Sequence, residues 1–216
     1  MKRWLVITGL TLGCGGCSLS IDRPMAVSGD HPGRSHHSVE GAIHVTADAH
    51  TDALSSIAGS IDLDHGATAQ SAKSVTGSIG LHSATVLGKV QTVTGAVRAD
   101  TGSRIGGDLT TTVAAVSLEG TDVDGRVEAV SGSIVLTGHT LVRGGIALLP
   151  VQPDEKNPDV LRLPKLVLGP DVRVQGPITA ARGGTILAAP GAIFEAPRKM
   201  RVVRWPDQEQ LPTAQW

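Results

Sequence analysis

Hydrophobic and polar positions alternate in a pentapeptide that recurs along the first two thirds of the chain. Its first copy is Val39-Glu40-Gly41-Ala42-Ile43, and later copies start at residues 57, 75, 93, 112 and 130. The spacings are therefore 18, 18, 18, 19 and 18; every copy ends in Val or Ile, and five of the six have a central Gly. Alternation with period two predicts a strand with one buried face, so we expect the first, third and fifth residues to point inward.

A second pentapeptide is interleaved with the first. It reads Val86-Leu87-Gly88-Lys89-Val90, and further copies start at residues 105, 123 and 142. From each copy to the next copy of the first pentapeptide the offset is seven, whereas the opposite offset is 11 or 12. One corner of the repeat therefore has a fixed length, and the other accepts an extra residue, as a loop does.

Short strands of this kind bury their inner faces only by stacking on one another. The sequence therefore predicts an all-β, single-domain β-solenoid with two short strands per coil of 18–19 residues. The repeat region covers residues 39–148, and residues 39–146 correspond to six coils. A left-handed hexapeptide coil, as in acyltransferases, has three equal steps of six, which the observed offsets fit poorly. We expect the glycines to line two opposed inner walls that approach closely; they are Gly41, Gly59, Gly77, Gly95 and Gly132, and Gly88, Gly107, Gly125 and Gly144.

The composition agrees with a thin β-branched interior and excludes several functions. Aromatic residues make up 2% of the 216 residues, whereas there are 27 glycines. The formal net charge is −1 and no basic run is present, so we expect no nucleic-acid partner. The two cysteines are only three residues apart near the N-terminus, which gives no disulfide framework.

The N-terminus has the pattern of a secretory leader. A basic start, Met1-Lys2-Arg3, precedes ten apolar or small residues, too few to span about 30 Å of hydrocarbon. We assign residues 1–13 to a signal peptide and residues 14–38, which contain Pro24 and Pro32, to a flexible tether.

The residues Leu10-Thr11-Leu12-Gly13-Cys14 resemble the lipobox of bacterial lipoproteins. That resemblance implies cleavage before Cys14 and a diacylglycerol, with palmitate, on its thiol. In Gram-negative lipoproteins a residue other than Asp after the acylated Cys favours the outer membrane, so the resemblance implies an outer-membrane location because Gly15 stands there. An ordinary signal peptide with incidental cysteines is the alternative.

The V-x-G-x-[IV] ladder itself resembles the bacterial β-strand-repeat domains grouped as adhesin-type and, more distantly, the bactofilin-like β-helices. The resemblance covers about residues 38–148 and implies a solenoid fold in a cell-envelope protein. A further copy is visible at Val174-Gln175-Gly176-Pro177-Ile178.

The regular pentapeptide repeats end at residue 148, and the sequence that follows is less regular. Residues 149–165 contain four prolines and are predicted to form a loop, residues 166–194 irregular final coils, and residues 195–216 a C-terminal cap. The cap would contain Trp205 and Trp216, with Phe194 beside it, and would cover an otherwise unpaired edge. We therefore expect a monomer or dimer and not a filament.

Candidate chemistry is sparse. Only three histidines cluster, His36, His37 and His44, and no ligand set accompanies them, so we expect solvated histidines, no metal site and no cofactor. Asp122 and Asp124 are expected to point to solvent, and the outward charges of the second pentapeptide, which alternate along the stack, are expected to neutralise one another. The other histidines are His31, His50, His65, His82 and His139.

No nucleophile elbow, P-loop or dinucleotide fingerprint occurs in a credible context, so we predict that the protein is not an enzyme. We expect a lipid-anchored envelope protein, on either face of the outer membrane, that contacts a protein or glycan through a flat wall of small residues. The alternative is a polysaccharide-active β-helix enzyme, which three carboxylates on one wall would favour. The expected wall consists of Ser60, Thr76, Ser78, Thr94, Ser131 and Ser133.

Overall fold

The computed structural model describes residues 17–30, 33–149, 165–181, 184–195, 197 and 200–204. Within these residues the chain is entirely β-strands, corners and turns, and successive coils of roughly 18 residues stack in parallel into a β-solenoid. The predicted fold class is therefore confirmed. No helix in the described ranges is long and apolar enough to cross a membrane.

Each coil has three faces. Short strands form the first face: β9 (Thr85–Val86), β12 (Arg104–Ile105), β15 (Asp122–Val123), β18 (Leu141–Val142) and β21 (Arg173–Val174). The second face contains β1 (Cys17–Ser20), β3 (Ser35–Ser38), β10 (Val90–Thr92), β13 (Leu109–Val113), β16 (Val127–Ser131), β19 (Ile146–Leu148) and β22 (Ile178–Ala180). In two early coils one strand runs along both faces, namely β5 (His50–Ser56) and β7 (Thr68–Ser74).

The third face is a separate sheet of ten strands among the described residues. At about 4.8 Å per strand, nine steps make the rod roughly 43 Å long. The strands are β2 (Met25–Val27), β4 (Ile43–Val45), β6 (Ile61–Leu63), β8 (Ile79–Leu81), β11 (Val97–Ala99), β14 (Val116–Glu119), β17 (Ser133–Thr137), β20 (Lys165–Leu168), β23 (Thr185–Ala188) and β24 (Arg201–Arg204).

Three faces rather than two account for the unequal offsets. Each face has two inward-pointing residues. In one coil the first of these two residues is Val90, Val97 and Ser103 on successive faces, and the next coil starts at Leu109, so the steps are seven, six and six residues. The 11- or 12-residue half therefore contains two faces, and the prediction of two strands per coil is wrong. The offsets consequently no longer argue against a three-sided coil.

The core is a stack of aliphatic ladders. Each face contributes two inward residues separated by one outward residue, and residues of adjacent coils are paired in register. On the third face this ladder includes Ile61, Ile79 and Val97, all fully buried. A core of this width fills with β-branched and small side chains, which explains the low aromatic content.

The solenoid starts earlier than the sequence predicts. Residues 17–38, expected to lie in a flexible tether, contain β1, β2 and β3, and Val27 is 2% exposed. β1 pairs in parallel with β3, and β2 with β4. The tether prediction is wrong here because strand stacking depends on backbone hydrogen bonds, which a polar segment also supplies.

The last coils are more regular than predicted. Val174 and Ile178 pair with Val142 and Ile146, which confirms the additional copy of the second pentapeptide. β24 extends the third face, and Phe194 packs against the core. Residues 150–164, Trp205 and Trp216 lie outside the described residues, as do the signal peptide and Cys14.

Candidate functional site: the apolar corner

The first pentapeptide forms a corner rather than a strand. We call residues 39–42, 57–60, 75–78, 93–96, 112–115 and 130–133 the apolar corner; it joins the second and third faces. In the early copies only the last residue of the pentapeptide enters a strand, as Ile79 does at the start of β8. The alternating pattern therefore marks a bend, and the predicted strand assignment is wrong.

The corner glycines allow coils to stack closely. A Cβ atom at Gly77 would overlap the carbonyl oxygen of Gly59, one coil earlier, and the same relation links Gly59 to Gly41. The predicted approach of two opposed inner walls is therefore wrong, because the close contact runs along the rod axis. Gly95 repeats this contact, and Gly132 meets the carbonyl oxygen of Ala114.

Buried hydroxyl groups hold the corner in place. The Gly77 N–H donates to Ser74 Oγ at 3.0 Å, and Ser74 Oγ donates to the Gly59 carbonyl oxygen at 3.4 Å. Thr92 makes equivalent bonds at 3.2 and 3.5 Å. Sequence reasoning missed this role, although the signal was present: a Ser or Thr lies three residues before each of the first four glycines.

The first residue of each pentapeptide is exposed or half-buried, not buried as predicted. These residues stack into what we call the apolar ridge. The ridge spans about 34 Å, or seven steps of about 4.8 Å from its first residue to its last. In the degenerate coil Thr112 takes the ridge position and the neighbouring Val113 is 55% exposed. The ridge consists of Ile21, Val39, Ile57, Val75, Val93, Val130 and Leu149.

The six residues predicted as a flat binding wall all lie in the apolar corner. Thr76, Ser78 and Thr94 are exposed, whereas Ser60, Ser131 and Ser133 are half-buried. Three of their hydroxyl groups are already bonded within the rod. Thr76 donates to the Ile57 carbonyl at 3.0 Å, Thr94 to the Val75 carbonyl at 3.2 Å, and Ser60 to Asp62 at 2.9 Å. The ridge is therefore the more prominent outward feature.

The second pentapeptide forms another corner, between the first and second faces. We call residues 86–90, 105–109, 123–127 and 142–146 the charged corner. Its glycines are half-buried, and a Cβ at any of them would press on backbone one coil earlier, so they too fit stacking rather than opposed walls. They are Gly88, Gly107, Gly125 and Gly144.

Charges along this corner neutralise one another, as the sequence predicts. Asp124 pairs with Arg104 at 2.6 Å and with Arg143, which also reaches Asp122 at 3.5 Å. Both carboxylates point outward as expected, with side chains 40% exposed at Asp122 and 28% at Asp124, and both are paired with arginines. The neighbouring pairs are Lys89–Asp108 at 3.6 Å and Arg126–Glu128 at 3.9 Å.

The third corner, between the third and first faces, is a feature that sequence reasoning missed. A residue with positive φ recurs there once per coil, for example Gly66 (73°) and Gly102 (85°). Two histidine–carboxylate pairs flank it: His44–Asp64 at 2.9 Å and His82–Asp100 at 2.7 Å.

The histidines lie apart rather than in one ligand set. In the described part of the chain no group of three or more His, Cys, Asp or Glu side chains could hold a metal ion. His36 departs from the expected solvation, since it is 5% exposed and lies 2.5 Å from Ser18 Oγ. His31 lies outside the described residues.

No protein-family model, curated protein or solved structure matches the chain.

Proposed function

We propose that the protein is a lipid-anchored component of the outer membrane that acts as a non-enzymatic structural or binding module through its apolar corner. One observation carries the proposal. Two corners of the rod have charged residues along their length, whereas the 24 residues of the apolar corner include a single charge, Glu40, and the equivalent residues 21–24 of the preceding coil add Asp22 and Arg23. An exposed apolar row in a folded protein is typical of a contact surface.

The anchor is tested by metabolic labelling. The resemblance of residues 10–14 to a lipobox supports acylation of Cys14, with the membrane as partner. In cells grown with labelled palmitate, we expect label on the wild type and on Cys17→Ala, but none on Cys14→Ala. Equal labelling of all three proteins would contradict the anchor.

The contact surface is tested by site-specific photocrosslinking in cells. A photoreactive amino acid at Thr76, in the apolar corner, should crosslink to another envelope component. The same amino acid at Lys89, in the charged corner, serves as the matched control because both residues are exposed. Equal crosslinking from both positions would overturn the assignment of the contact to the apolar corner.

A polysaccharide-active enzyme remains the second candidate because four carboxylates, Asp108, Asp122, Asp124 and Glu128, lie in or directly beside the charged corner. Each has a basic partner there, which favours a structural role. If Asp124→Asn abolished the release of sugars from an envelope polysaccharide while the protein stayed folded, the enzyme hypothesis would replace the one we favour.

We also propose that the soluble region is a monomer or dimer. β24, the last strand of the third face within the described residues, begins and ends with exposed arginines, Arg201 and Arg204, and charged edges discourage strand addition. Light scattering should show no filaments for the intact chain. Deletion of residues after Glu195 removes β24 and should promote association.

A further inference from the structure

Three large apolar side chains are exposed near the N-terminal end of the rod. Ile21 is 61% exposed and Ile57 51%, compared with 36% for Val75 and 39% for Val93. Leu19, in the same first coil as Ile21, is 56% exposed. Large apolar side chains are therefore left in water where the chain enters the solenoid, as they also are at Leu87 (55%) and Ile193 (58%).

This end is also the one that a lipid on Cys14 would hold at a membrane. β1 begins at Cys17, three residues after Cys14. Three extended residues span at most about 10 Å, so the first coil begins close to the lipid headgroups. Because β1 already pairs with β3, little free chain is left to separate the rod from the bilayer.

A second copy of the chain fits the ridge less well than a lipid surface does. A stable protein interface buries about 800 Å² per partner. A ridge one side chain wide, with seven partly exposed aliphatic residues, offers on the order of 400 Å². A bilayer needs no matching shape, and it takes up uncharged apolar groups while it rejects charged ones.

We infer that the anchored rod lies along the bilayer, with its apolar corner against the boundary between headgroups and acyl chains. This placement rests on the proposed lipidation of Cys14. It leaves the other two corners in water, where the Lys89–Asp108 pair of the charged corner and the His82–Asp100 pair of the third corner remain solvated.

Depth-dependent fluorescence quenching tests the placement. The full-length acylated protein would carry Cys17→Ser and one new thiol for a bimane label, because the Cys14 thiol is blocked by the lipid. The labels would be placed at Thr76→Cys in the apolar corner and at Lys89→Cys in the charged corner. Vesicles of phosphatidylcholine and phosphatidylglycerol would contain brominated acyl chains as the quencher.

We expect at least a twofold loss of bimane fluorescence at position 76 and almost none at position 89. Equal quenching, or none at position 76, would overturn the inference. So would efficient coupling of two Thr76→Cys chains by a short bis-maleimide in these vesicles, since a second copy would then occupy the corner.

Palmitate labelling of the same samples distinguishes failure of the proposed anchor from failure of the proposed placement on the bilayer. If the protein carries no palmitate, the proposed anchor fails and the placement fails with it. If palmitate is present but position 76 is not quenched, the anchor stands and only the placement is wrong.

Discussion

The apolar and charged corners both turn the chain while adjacent coils stay closely stacked, but different side chains stabilise them. Both turn the chain between faces, and both place a glycine where a Cβ atom would press on the preceding coil. The apolar corner keeps its bend with buried hydroxyl groups, whereas the charged corner adds ion pairs between coils on its outer side. One corner is stabilised from within, which leaves its outer surface free for contacts; the other uses its outer surface for its own stability.

Among changes at the corners, the largest effect should come from the glycine contact. In Gly77→Val the new side chain would meet the Gly59 backbone, which the stacked coils hold in place, so we expect a loss of about 3 kcal/mol in the free energy of unfolding. Ser78→Val, at the next and exposed position, should change it by less than about 0.5 kcal/mol. Denaturant titrations of both variants provide the measurement, and the reverse ranking would show that the corner is misplaced by one residue.

Removal of the internal hydroxyl should come next. Ser74→Ala leaves the buried Gly77 N–H without its acceptor, for an expected cost of about 1–3 kcal/mol. Thr111→Val is the matched control, because Thr111 Oγ1 is buried without a hydrogen-bond partner where the repeat has Ala114 instead of glycine. Its unfolding free energy should stay the same or rise. A similar loss of stability in both variants would contradict the role of the Ser74 hydroxyl group as the acceptor that holds the corner.

The charged corner should respond more weakly and in a salt-dependent way. Asp124→Asn removes the negative charge that pairs with Arg104 and Arg143 of the adjacent coils, and we expect a loss of about 1 kcal/mol. Raising the salt concentration from 0.05 to about 1 M should reduce the difference from the wild type, because the Debye length falls to about 3 Å. An effect that does not change with salt would indicate packing rather than charge pairing.

Substitution of the ridge should have the smallest effect on stability. Val75→Thr replaces one β-branched side chain by another at an exposed corner, so the unfolding free energy should change by less than about 0.5 kcal/mol. Ile79→Ala, four residues later and fully buried, should cost about 2–5 kcal/mol. Similar costs for the two changes would show that Val75 belongs to the core.

The sequence alone predicted the class of the fold and much of its spacing. The 18-residue period, the final Val or Ile of each pentapeptide and the central glycine together required stacked coils, and the structure confirms that Ile61, Ile79 and Val97 form a buried ladder. Alternation of charge in the second pentapeptide likewise predicted neutralisation along the stack, which the Arg143 pairs confirm. These features repeat with the coil, so periodicity reveals them.

Tertiary structure decided what the repeats do in space. An alternating pentapeptide fits a strand or a bend equally well, and only the surrounding coils place Val75 outside and Ile79 inside. Strand pairing in residues 17–38 was likewise invisible, because backbone hydrogen bonds form with polar side chains too. The apolar ridge thus follows from packing. Each corner glycine lies against the backbone of the preceding coil, and the residue two positions before it, such as Val75 before Gly77, is thereby turned toward solvent.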